Sequence, residues 1–127
     1  MRLHVRLLDV LRPGFVHDLR RVATPEAETQ VVGVALVRFL TYTGLRFGEA
    51  AGLVVGDVDM LRRRVTVQRS VAEAGGKVVT TPGKTSTRRT VPFPAFLATD
   101  LAALMEYRGR DDLLFTGPGG RVLRLSN

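Results

Sequence analysis

Cysteine is absent from the 127 residues, so no disulfide and no thiolate metal site can form, a usage that suits a reducing cytoplasm. Histidine is scarce: His4 and His17 are the two present, and their spacing matches no metal-ligand pattern. No metal and no small-molecule cofactor are therefore expected. Long apolar runs are missing too. The longest, Val31 to Leu40, is interrupted by Arg38 and falls short of the about 20 residues that a membrane-spanning helix needs. The first residues carry scattered arginines and no apolar stretch with a small-residue cleavage site, so neither export nor a membrane partner is expected. Lysine is rare, and nearly all of the positive charge is arginine.

What is present is a strong basic excess, +7 with a sequence pI near 11.2. Such a balance points to a polyanionic partner, although GC-rich coding would produce the same arginine enrichment. The charge is concentrated. Between Leu61 and Arg89 lie Arg62, Arg63, Arg64, Arg69, Lys77, Lys84, Arg88 and Arg89 against Glu73 alone, a local excess as large as that of the whole chain. Two readings stand side by side: strand edges blunted by charge against aggregation, or a surface for phosphates. The segment has no aromatic side chain for base stacking, so the phosphate reading favours double-stranded DNA over single strands.

The apolar pattern predicts an α+β domain, with helices packed beside a small three-stranded antiparallel sheet. Residues 1–29 show weak periodicity and stay unassigned, apart from Thr24-Pro25-Glu26 as a possible helix start; residues 30–127 form the domain. From Gln30 to Thr43 apolar residues cover nearly all faces, which predicts a helix buried on most sides and ended by Gly44. A short helix from Leu45 or Arg46 to Leu53 precedes a turn at Gly56-Asp57. Strands are predicted at Arg64 to Arg69, Lys77 to Thr80 and Arg88 to Phe93, the first two joined through Gly75-Gly76. Pro94 fits the first turn of a further helix, with Leu97, Leu101 and Leu104 on its buried face and an end near Arg108 or Gly109; Leu113 to Thr116 reads as a short strand.

Arg46 sits at a helix start between apolar flanks, in Thr43-Gly44-Leu45-Arg46-Phe47-Gly48-Glu49-Ala50. Its guanidinium stays charged, and burying it there without a partner costs about 3–5 kcal/mol, so it calls for a carboxylate or a phosphate. Glu49, three residues on, is the local carboxylate.

Thr43 to Glu49 resembles the T-G-L-R-x-x-E motif of the tyrosine recombinases, or phage integrases. Gly56-Asp57-Val58-Asp59 is similar to that family's acidic turn, and Thr81-Pro82-Gly83-Lys84-Thr85 with Arg89-Thr90-Val91-Pro92 resembles its lysine-bearing hairpin. Leu114-Phe115-Thr116 is similar to a strand that follows. The resemblance covers about residues 30–127 and implies part of the catalytic domain of a DNA recombinase. It implies that Arg46 holds the scissile phosphate, that Lys84 protonates the leaving 5′ oxygen, and that Glu49 supports Arg46. Arg62, Arg64, Arg69, Lys77, Arg88 and Arg89 are then candidate DNA contacts.

The family's reaction also takes a tyrosine nucleophile, an arginine in a His-x-x-Arg motif, and a further His or Trp, which lie in the family beyond the matched stretch. Tyr42 and Tyr107 fall in the wrong places, and His17-Asp18-Leu19-Arg20 precedes Arg46 rather than following it. The expectation is a truncated catalytic domain that does not cleave DNA by itself. A basic DNA-binding module without catalysis, or a partner of other, complete recombinase subunits, is the alternative.

Overall fold

The computed structural model describes residue 16 and residues 24–74, 77–82, 88–117 and 121–123. Helix α1 runs Pro25–Thr43. The Thr24 hydroxyl accepts the Ala27 N–H at 3.1 Å, Pro25 occupies the first helical position, and Glu26 and Glu28 face the positive end of the helix dipole. These signals start the helix five residues before the predicted Gln30, so α1 crosses the boundary set at residues 29 and 30. Gly44 closes it at φ 71°, with its N–H on the Leu40 carbonyl.

Burial along α1 is less complete than the apolar pattern implies. Val31, Val32, Ala35, Leu36 and Phe39 enter the core, whereas Gly33 is exposed and Val37 keeps 60% of its surface. The residue that interrupts the run, Arg38, is inside. Its Nε donates to Asp100 at 2.6 Å, both side chains are almost fully buried, and the guanidinium lies 5.5 Å from the Phe96 ring centre. Asp100 belongs to α3, Ala95–Met105, so this ion pair joins the two long helices. Burial pushes the Asp100 carboxyl above its ordinary value, against the opposing pull of Arg38.

Between them, α2 (Phe47–Ala51) leads through a 3-10 turn, Val55–Asp57, into the strands. β1 (Val58–Asp59), β2 (Arg64–Val67) and β5 (Arg89–Pro92) form a three-stranded antiparallel sheet in the order β1-β2-β5, while β3 (Arg69–Ala74) and β4 (Lys77–Pro82) make a separate hairpin. The predicted sheet is thus present with one strand exchanged. The Lys77 strand pairs with β3, and β1 takes its place beside β2. The division falls at Gln68, whose amide turns aside to the buried Asp57 carboxylate at 2.7 Å and interrupts what alternation alone reads as one strand.

α3 follows Pro94 and buries Leu97, Leu101 and Leu104 as predicted, but it ends at Met105, and Tyr107 takes φ 62° just beyond. Leu113 to Thr116 forms no strand. It makes isolated bridges, Val54 to Leu113 and Thr116 to Val122, and the Arg108 guanidinium holds it by donating to the carbonyls of Leu113 and Leu114 at 2.9 and 3.0 Å. The core brings Phe39 and Phe115 to 5.3 Å between ring centres and includes Val16, a fully buried residue from the segment left unassigned by sequence. No described helix is long and apolar enough to cross a membrane.

The buried pair yields a stability prediction. Asp100→Ala deprives a buried guanidinium of this carboxylate and should lose about 3–5 kcal/mol in urea unfolding, whereas Arg38→Met with Asp100→Leu should recover most of it. Equal losses in the single and double variants would show that packing, not charge, governs the contact.

Candidate functional site

The left-handed turn at Gly44 ends α1 and lets the chain reverse within two residues. Leu45 plugs into the core, and Arg46, in extended backbone at φ −74° and ψ 150°, becomes the exposed residue that starts α2. The sequence reading placed this arginine in apolar surroundings; apolar flanks on either side of a helix start instead turn Leu45 inward and Arg46 outward. Its backbone N–H donates to Glu49 Oε1 at 3.0 Å, so the reach of Glu49 back across the first turn holds the main chain of Arg46.

The ion pair of Glu49 is with Arg89 rather than with the side chain of Arg46. Arg89 NH1 lies 2.6 Å from Oε2 and NH2 2.9 Å from Oε1, a two-pronged contact that joins α2 to the start of β5. The Arg89 hydrogen bond, against burial and with help from the Arg46 N–H and the nearby positive charges, brings the Glu49 carboxyl from its usual 4.5 to about 2. Glu49 in turn raises the pKa of Arg89. Among the described residues, no carboxylate pairs with the Arg46 guanidinium.

Beneath this corner α2 lies directly on β3. A Cβ at Gly48 would come within 2.5 Å of the Val71 carbonyl oxygen and 2.8 Å of Ser70 Oγ, so only glycine permits the approach. The far end of α2 is tied down by Arg69, whose NH1 donates to the Gly52 carbonyl at 2.8 Å and to Asp57 at 2.6 Å.

The structure therefore brings Arg46, Glu49 and Arg89 together and disperses the other candidates. Arg69 is committed to Asp57 and Gly52. Arg62 and Arg64 are exposed at the opposite end of the β2–β5 ladder, where Arg64 faces Pro92, while Arg89 faces Val67. Arg88 is exposed beside Arg89, Lys77 begins β4 opposite Ala74, and Lys84 lies outside the described residues. Tyr42 lies in the last turn of α1, half exposed, with its ring edge-on to Phe96 at 4.8 Å, and Tyr107 is 97% exposed. Among the described residues no group of His, Asp and Glu side chains could hold a metal ion.

Sequence reasoning missed Asp57, Arg69 and Arg108 as internal ties. Asp57 is the most legible in retrospect, because an acidic residue three after the apolar Val54 is placed to cap a turn, and its carboxylate accepts the Val54 N–H at 2.9 Å.

Two measurements check the geometry. Gly48→Ala should destabilise by about 2 kcal/mol through overpacking against main chain, read as a lower urea midpoint. The Glu49 contact is lowered in pKa by folding, so its contribution is complete above about pH 4.5 and disappears as pH falls toward 2. The stability gap between wild type and Glu49→Gln should be wide at pH 6 and narrower at pH 3; a constant gap would contradict the lowered carboxyl.

Residues 16–125 match the phage integrase family. Among curated proteins none matches. Solved structures do: the Tn1549 transposon integrase in complex with transposon right end DNA superposes at TM-score 0.61 and 20% identity, over 97% of this chain and 41% of that one. The same integrase with a circular intermediate DNA gives 0.60 and 18%. XerA recombinase gives 0.51 and 17%, over 98% of this chain and 38% of that one. The chain thus spans about two fifths of the length of the structures whose fold it shares.

Proposed function

Since the chain belongs to the phage integrase family, we propose that it provides the phosphate-holding part of a site-specific DNA recombinase, an enzyme class that cuts and rejoins strands through a phosphotyrosine. The observation that carries this reading is the state of Arg46. Its main chain is fixed by Glu49, and its guanidinium is on the solvent side with no described carboxylate to neutralise it. Arginine so placed offers paired N–H donors to the non-bridging oxygens of a phosphodiester, where charge develops as the bond breaks.

Lys84 is proposed as the general acid for the leaving 5′ oxygen, and Arg88, Lys77, Arg62 and Arg64 as sources of attraction for the duplex backbone. The related integrase structures with DNA support DNA as the partner, and a double strand is proposed because the basic segment has no aromatic side chain for base stacking. Other recombinase subunits are proposed as protein partners, in the cytoplasm. The 127 residues are proposed to bind DNA without cutting it. Tyr42 has its ring against Phe96 and Tyr107 follows the end of α3, and neither belongs to the Arg46–Glu49–Arg89 corner.

Titration of a labelled duplex by fluorescence anisotropy at increasing salt tests the binding. The logarithm of affinity should fall steeply with the logarithm of salt, and Arg46→Ala should weaken binding by about tenfold or more. A flat salt response removes the DNA reading. A loss at Arg46→Ala no larger than at Arg64→Ala favours a basic module without catalysis. A nicked substrate that traps the covalent intermediate should give no adduct; an adduct abolished by Tyr42→Phe or Tyr107→Phe would identify a nucleophile and overturn the claim that this chain does not cut.

A further inference from the structure

We propose that Arg89 is a positioning residue for the phosphate clamp, acting through Glu49, and not a contact to the DNA backbone. The inference rests on Arg46 being the phosphate ligand proposed above. It follows from the connectivity of three groups. Both terminal nitrogens of Arg89 are committed to the Glu49 carboxylate, at 2.6 and 2.9 Å, and the same Oε1 that accepts NH2 also accepts the Arg46 N–H at 3.0 Å. The carboxylate thus has donors from β5 on one side and from the start of α2 on the other. Without Arg89, Glu49 has one tether, a backbone N–H, and its long side chain regains rotamer freedom.

Helix α2 makes this tether consequential. It has five residues, too few to be stable by itself, and Arg46, the residue that caps its N-terminus, is the one that must present the guanidinium. Arg46 has no side-chain cap of its own at that position. A planar guanidinium on a carboxylate sets direction as well as distance, so the Arg89 fork fixes where Oε1 lies and hence where the Arg46 main chain lies. Arg88, one residue earlier and exposed, differs in this respect: among the described residues it has no ion pair, as befits a side chain available for an external anion.

The charge balance agrees. A residue that meets a phosphate leaves a net positive charge for it, but Arg89 and Glu49 neutralise each other. The pair contributes orientation and little field, while Arg46 keeps its full charge toward the ligand.

Five variants measured by duplex binding across a salt series test this, with one measurement that needs no DNA. Arg89→Ala should lower affinity about tenfold while leaving the salt slope close to that of wild type, whereas Arg88→Ala should reduce the slope by about one. In a Glu49→Gln background, Arg89→Ala should add less than a further twofold loss. Arg89→Lys keeps the charge without the fork, so it should not restore wild-type affinity. Hydrogen exchange at the Arg46 amide, followed by NMR in the free protein, should be slowed in wild type and faster in Arg89→Ala, with other α2 amides and the unfolding midpoint showing that the fold survives.

Full rescue by Arg89→Lys, a slope reduced by about one in Arg89→Ala, or an equal loss with and without Glu49 would each overturn the proposal in favour of a phosphate contact. So would an Arg46 amide that exchanges equally in both proteins. Failure of the phosphate reading has a different signature: Arg46→Ala binds like wild type while the amide of Arg46 still responds to Arg89→Ala.

Discussion

Asp57 is 6% exposed, and its carboxylate accepts three donors that arrive from different parts of the chain: the Val54 N–H, the Gln68 amide and the Arg69 guanidinium. Arg69 carries the tie on to the Gly52 carbonyl at the end of α2. One side chain therefore determines how the short helix, the 3-10 turn and the boundary between the two sheets are arranged. Its removal would take this acceptor from three partly buried donors, each at a cost below the about 1–3 kcal/mol of a fully buried one. It also bonds the residue where the pairing changes: the β2–β5 ladder ends at Val67, the β3–β4 ladder begins at Arg69, and Gln68 between them donates its amide to Asp57.

A corner built this way separates two uses of arginine. Arg38, Arg69, Arg89 and Arg108 are tied to carboxylates or carbonyls of the chain itself and act as cross-links between elements. Arg46, Arg62, Arg64 and Arg88 are exposed. The basic composition overstates the surface offered to a polyanion, since these four arginines are engaged in holding the fold. Among the described residues, Arg62 and Arg64 lie at one end of the β2–β5 ladder and Arg88 at the other.

Much of this was legible from residue order. The periodicity of Leu97, Leu101 and Leu104 located the buried face of α3, Gly44 marked the end of α1, and the motif from Thr43 to Glu49 marked the corner with Arg46. Local patterns failed where a partner is distant in sequence. Alternation cannot show that Gln68 bonds to Asp57 across 11 positions, or that Glu49 chooses Arg89, 40 residues away, over its neighbour in the helix. Arg38 could be read only as an interruption of an apolar run, because the carboxylate that lets it be buried, Asp100, is 62 residues away. The bridge-like 113–116 segment resembles a strand by composition, yet its carbonyls bond to the Arg108 side chain.

The seat of α2 on β3 bears on how such a corner could be redesigned. At Gly48 the spacing between helix and hairpin is set by main chain against main chain, since the Val71 carbonyl occupies the space where a side chain would begin. Backbone has no rotamers, so this clearance is insensitive to which residues occupy the outward positions of β3. Outward side chains of the hairpin can therefore be exchanged to alter its chemistry toward a ligand without changing the seat of α2, provided that position 48 remains bare and Ser70, whose Oγ also faces it, stays small.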